Sequence, residues 1–220
     1  MTNNAVGYVS VIGANLFDPI LELVEKLETT AVVEPNEVQT SQPENGFACA
    51  IVALSVFLLE SAINRTKYIR KDNEKTDIAE YFARISSDTE LAKDIDEVVA
   101  VRDAIVHNHL WEANVYWDGA HSLKFRSPPK LLEGYGNKRQ RRVINSKTRL
   151  SHRLSLNLFP PRIWRRDAYT TLRIVERALE VLEAIDRNYF TITYHYFMFR
   201  GEWQTLSQIL IALPYIPKVG

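Results

Sequence analysis

Cysteine is nearly absent from this 220-residue chain, with Cys49 alone. One cysteine allows no intramolecular disulfide and no thiolate metal cluster within one chain. It lies in an apolar stretch, which suits a small buried residue better than a nucleophile. Glycine and proline are scarce as well, at 8 and 9 residues, too few for a collagenous, disordered or many-turned all-β chain. No hydrophobic run is long. The longest, Phe47 to Leu59, is interrupted only by Ser55 and closed by Glu60. It falls short of the roughly 20 residues needed to cross a membrane, so a helix buried on most sides is expected. Met1-Thr2-Asn3-Asn4 lacks the basic flank of a secretory signal. A cytosolic protein without a membrane partner is the simplest expectation.

Net charge is absent too: 27 Lys and Arg balance 27 Asp and Glu. That neutrality argues against a nucleic-acid partner only if the charge is spread evenly, and it is not. Residues 1–120 carry 9 basic and 20 acidic side chains, a net of −11. Residues 121–166 carry 13 basic and 1 acidic, a net of +12, and residues 167–220 carry 5 and 6. The chain reads as an acidic body with a strongly cationic segment.

Hydrophobic residues at 46% and charged residues at 25% are ordinary for a globular chain. The length fits one domain spanning residues 1–220. Periodicity predicts a mainly α protein of five or six helices. The first covers residues 8–29, with a kink or restart at Asp18-Pro19. Residues 30–46 read as a polar linker, residues 47–70 as the apolar helix and residues 75–85 as a short helix. Ser87 or Asp88 can cap the next helix, which is expected to run from 88 to about Trp111. Residues 113–160 form an insertion, partly β, with Asp118-Gly119 as a hairpin signal between Asn114 and Phe125. A strong amphipathic helix follows over 163–188. Residues 190–220 are a C-terminal extension, β-rich over 190–199, with a break at Gly201 and a last helix over 202–212.

The helix over 88–111 carries the one violation of its own pattern. Leu91, Ile95, Val98, Arg102, Ile105 and His109 follow alternating steps of four and three, a heptad-like seam. Two of those six positions are Arg and His. A charged residue on such a seam is costly unless it is paired or used, and violations of this kind concentrate at functional or strained sites. A structural alternative is that Arg102 pairs with a buried carboxylate such as Glu60. Asp94, Asp96 and Glu97 on the same helix read as its solvated face. His107-Asn108-His109 is no metal pair, because a two-residue step puts the rings on opposite sides of a helix. No phosphate-binding glycine loop and no Gly-x-Ser-x-Gly elbow is present. No metal and no cofactor is expected.

The string Arg102-Asp103-Ala104-Ile105-Val106-His107-Asn108-His109 resembles the signature of the HEPN superfamily, an Arg, often a polar residue, then a His after four to six residues. Arg102 and Asp103 fit the first two positions. His107 fits the four-residue gap, the commoner form, and His109 the six-residue gap. The resemblance covers roughly residues 47–112 and 163–188. It implies a helical bundle centred on the motif helix and a homodimer in which two motif helices face each other. It further implies a metal-independent endoribonuclease whose product carries a 2′,3′-cyclic phosphate. Many such proteins are toxins or antiviral defence effectors, with an antitoxin or effector complex as partner. A non-catalytic dimerisation or RNA-binding module is the alternative.

The residue chemistry is compatible with cleavage. Attack by a 2′-OH needs a base for its proton and an acid for the leaving oxygen, and imidazole serves either role near neutral pH. A guanidinium can hold two phosphate oxygens at once. Asp103, four residues before His107, can orient the imidazole, and Glu60 is a second-tier candidate on the preceding helix. On an ideal helix Arg102 and His107 are about 140° apart, whereas Arg102 and His109 are about 20° apart. One regular helix therefore aims Arg102 and His107 poorly at one point; two copies in a dimer, or fraying of the helix end, would bring them together.

The cations of residues 121–166 include Lys138, Arg139, Arg141, Arg142, Lys147, Arg149 and Arg153, interleaved with Phe125, Tyr135, Phe159 and Trp164. Such a segment has the electrostatics of a phosphate-binding arm with aromatics for base stacking. RNA is therefore the expected partner, and these seven cations are the candidate RNA-binding residues. The opposing expectation is that they neutralise the acidic body of their own chain.

Overall fold

The computed structural model describes residues 15–32, 37–38, 43–107, 111–117, 119, 123–132, 138–185, 192 and 195–214. Among them the protein is mainly α, with seven helices and six short strands. Helix α1 (Phe17–Thr29) buries Phe17, Ile20, Leu21, Val24 and Leu27, the three- and four-residue steps of one face. Pro19 sits in its first turn, where a missing N–H costs nothing. The described helix thus begins beside Asp18-Pro19 instead of kinking there, and residues 8–14 lie outside the described residues.

Helix α2 (Pro43–Ile69) corrects two expectations. It starts inside the stretch that composition marked as a linker. Glu44, in its first turn, is fully buried and ion-paired through Oε1 to Arg165 Nε at 2.7 Å. The acidity that suggested solvent is an internal pair. The helix is also 27 residues long, and an 18-residue window has a mean hydropathy of 2.1. By length and composition it could cross a membrane, which the interrupted apolar run did not suggest. Only 44% of that window is buried, and α2 packs against α1, α4 and α6.

Helix α3 (Ile78–Ser86) is capped by Asp77, whose carboxylate accepts from Ala79 N at 2.9 Å. Helix α4 (Thr89–Val106) is capped by Asp88, which accepts from Leu91 N at 2.9 Å. Leu91, Ile95, Val98 and Val101 are buried, and α4 packs against α2, α3 and α6. It ends at Val106 and does not reach Trp111. His107 is its C-cap with φ −95° and ψ 8°.

Among the described residues the insertion holds three strands, and a fourth lies just before it. Strands β1 (Trp111–Glu112) and β4 (Lys130–Leu131) pair antiparallel, with Glu112 opposite Lys130. Strands β2 (Val115–Trp117) and β3 (Leu123–Phe125) pair with Tyr116 opposite Lys124, as the Asp-Gly signal predicted. Helix α5 (Lys138–Val143) was not expected inside the cationic run. Its Gln140 and Val143 are buried, and it packs against α4. Phe159 touches Trp111 at 5.6 Å and Phe125 at 5.7 Å between ring centroids, tying the insertion together.

Helix α6 (Arg165–Ile185) lies against α2. Strands β5 (Tyr196–Phe199) and β6 (Glu202–Thr205) form a hairpin. Arg200 and Gly201 both have positive φ, at 52° and 80°, which a tight two-residue hairpin turn requires. Residues 202–205, expected as the start of the last helix, are therefore strand. Helix α7 (Leu206–Ala212) begins after them with a capping box of Thr205 and Gln208. One hydrophobic cluster runs from Phe17 to Leu213 and includes residues of all seven helices.

Candidate functional site

The C-terminal end of α4 gathers charge. Arg102 reaches across to α2 and pairs with Glu60, and its guanidinium lies over the Phe57 ring at 5.3 Å. Its Nε is 3.4 Å from Asp103 Oδ1. The other oxygen of Asp103 accepts from Arg139 Nη1 of α5 at 3.1 Å. His107 Nε2 lies 4.0 Å from Asp103 Oδ1. One carboxylate thus stands between two guanidiniums and an imidazole.

Helix geometry brings these groups together. Arg102 and His107 diverge around the helix axis, but His107 follows Asp103 by four residues, and its N–H donates to Asp103 O at 2.9 Å as in a regular turn. Its ring therefore approaches the same oxygen that Arg102 Nε approaches from the adjacent position. Exposure separates the members. The Asp103 and Arg102 side chains are 8% and 13% exposed, whereas that of His107 is 57% exposed. The imidazole faces solvent and the charged groups lie behind it.

Burial pushes the Glu60 carboxyl above the usual carboxylate range; Arg102 and Arg139 pull it down and Asp103 pushes it up. Burial likewise pulls the Arg139 guanidinium below its ordinary value. His109 lies outside the described residues. Among the described residues no group of three His, Cys, Asp or Glu is placed to hold a metal ion. Cys49, its thiol pushed up to about 12 by burial, is not an activated nucleophile.

The seven candidate RNA-binding cations divide. Arg139 pairs with Asp77, Asp96 and Asp103. Arg142 pairs with Asp96 at 2.7 Å. Arg153 pairs with Asp94 and Glu90, both at 2.8 Å. These three neutralise α4. Lys138, Arg141, Lys147 and Arg149 make no side-chain ion pair among the described residues, and the first three are exposed. The acids that receive the arginines correct a further expectation. Asp94 and Glu97 are 8% and 2% exposed and are not a solvated face. Glu97 accepts from Ser151 Oγ at 2.6 Å and from Arg153 N and Leu154 N, both at 2.8 Å.

The approach of Arg139 to Asp103 spans 36 positions of sequence, and no local pattern announces it. Phe57 under Arg102 was also missed, because a Phe in an apolar run looks like core; it is 38% exposed. No protein-family model matches this chain, and no curated protein or solved structure matches it.

Proposed function

We propose that this chain is a metal-independent endoribonuclease of HEPN type, acting as a homodimer through α4 in the cytoplasm. The observation that carries the reading is the Asp103 carboxylate standing between Arg102 and an exposed His107 at the end of α4. In the reaction, His107 exchanges the proton of the attacking 2′-OH or of the leaving 5′-oxygen. Arg102 holds the non-bridging oxygens, where charge accumulates. Asp103 orients both groups, and Glu60 gives up Arg102 when a phosphate arrives. The products are a 2′,3′-cyclic phosphate and a 5′-hydroxyl. A role as a toxin or defence effector, restrained by an antitoxin or held in an effector complex, fits such an activity.

A second reading is favoured by one observation. Arg102 is already paired with Glu60 and only 13% exposed, as in a structural ion pair. On that reading the chain is a non-catalytic HEPN-fold module that dimerises or binds RNA. The deciding experiment incubates single-stranded RNA and tRNA in EDTA with the wild type, Arg102→Ala, His107→Ala and His109→Ala, followed by end-group analysis. Cyclic-phosphate ends made by the wild type and lost in the first two variants support the enzyme. Loss in His109→Ala alone moves the catalytic histidine. Equal cleavage by all four rejects the assignment.

A further inference from the structure

We propose that a cleft between the β1–β4 ladder and the loop after α5 binds backbone phosphates of single-stranded RNA beside the cleavage site. The cleft is about 320 Å³ and is lined by Lys130, Lys147 and Arg149 together with Glu112, Asn114 and the serines at 127 and 146. Three cations face one carboxylate, Glu112, which lies opposite Lys130 on the ladder. No side-chain ion pair or hydrogen bond engages Lys130, Lys147 or Arg149 among the described residues. Arg139, Arg142 and Arg153 of the same segment are spent on α4. The cationic run is thus sorted by the fold into an inward set and an outward set.

The loop carrying two of the three cations is fixed. Asn145 Oδ1 accepts from Lys147 N at 2.9 Å and from Thr148 N at 3.2 Å. Asn145 N donates to Leu150 O and Arg149 N to Asn145 O, both at 2.8 Å. Arg149 is held at φ 63°, a left-handed conformation uncommon for a residue with a side chain. The cleft therefore presents its cations from an ordered backbone, and an anion entering it need not order the loop.

Two neighbouring features point to a nucleic-acid strand. Tyr116 on β2 is 37% exposed, and the Arg126 guanidinium lies 5.7 Å from its ring centroid. Arg126 is joined to Asn114 by a 2.8 Å backbone hydrogen bond, so this aromatic surface continues into the cleft wall. Aromatics beside a cationic groove are the recurring arrangement for single strands, with bases stacked and phosphates paired. Glu112 follows His107 by five residues, so its Cα lies within about 18 Å of that of the imidazole. A strand crossing His107 can reach the cleft.

This inference rests on the reading of the chain as an RNA-binding protein, and its test separates the two. A fluorescein-labelled single-stranded RNA of about 12 nucleotides is titrated in EDTA against the full chain carrying His107→Ala. The same titration is made with Lys130→Ala, Lys147→Ala and Arg149→Ala added together. The expected result is an affinity loss of at least about ten-fold at 0.1 M salt, with a salt dependence shallower by about 2 in log–log slope. Tyr116→Ala is expected to weaken binding about ten-fold. In a chain with His107 intact, the triple variant raises KM for the 12-mer. Binding through the cleft without cleavage upholds the inference and rejects the nuclease. Cleavage with unaltered binding in the triple variant does the reverse, and a chain that binds no RNA overturns both.

Discussion

The two ends of α4 carry similar charges and treat them differently. Toward the N-terminus, Glu97 is 2% exposed and accepts three hydrogen bonds from the segment after α5. Asp94 and Glu90 share Arg153. The Glu97 carboxylate is bound by backbone or side-chain donors, and water has little access to it. Toward the C-terminus, Asp103 is buried as well, but the imidazole 4.0 Å from it is exposed. Closed charge specifies how the insertion docks on the bundle. Charge behind an exposed titratable ring leaves a group that can act on something else. A structural network and a candidate chemical one thus share a single helix.

The largest effect that would break the comparison is at Arg102. Arg102→Ala is expected to lower RNA cleavage by about 1,000-fold or more. Arg102→Lys is expected to recover only part of it, because an ammonium cannot hold two oxygens in parallel; single-turnover cleavage in EDTA measures both. Next is Glu97→Ala, which strands Ser151 Oγ, Arg153 N and Leu154 N. Each stranded donor costs about 1–3 kcal/mol, so a loss of at least 3 kcal/mol and a Tm drop of about 6–12 °C are expected. Thermal unfolding followed by circular dichroism checks this.

Glu60→Gln is smaller. It removes the charge that competes with phosphate for Arg102, so RNA affinity is expected to rise about three-fold with kcat within a few-fold of wild type. A hundred-fold fall in kcat would instead place Glu60 in the chemistry. The smallest effect lies far from both ends, at Glu176 on α6, where burial, reinforced by Glu180, pushes the carboxyl up to about 7. The fold keeps that proton at pH values where the unfolded chain has lost it. Stability from this group therefore falls as pH rises from about 4.5 to 7. Glu176→Gln is expected to raise Tm by about 3 °C at pH 8 and to leave it unchanged at pH 4.

Much of the frame is legible in the amino-acid sequence because it is local. Asp88 before an apolar period marks the start of α4, Asp118-Gly119 marks a hairpin, and the spacing of Leu172, Val175 and Leu179 marks α6. What is not legible is decided across the chain. Nothing between Val106 and Trp111 breaks a helix by composition, so the stop of α4 at Val106 has no local signal. Helix α5 has only Gln140 and Val143 facing inward, too few to show a period. Asp94 and Glu97 look solvated because charges on a helix usually are; their partners lie more than fifty residues further on. The Arg-polar-x3-His string was readable, whereas its contacts with Arg139 and Phe57 were not.

The most direct measurement pairs cleavage with stability in one variant, His107→Ala. The ring is mostly exposed and caps the helix with its backbone, so the account predicts a Tm within about 2 °C of wild type together with loss of cyclic-phosphate product from single-stranded RNA in EDTA. A folded His107→Ala protein that cuts RNA as fast as the wild type would contradict it.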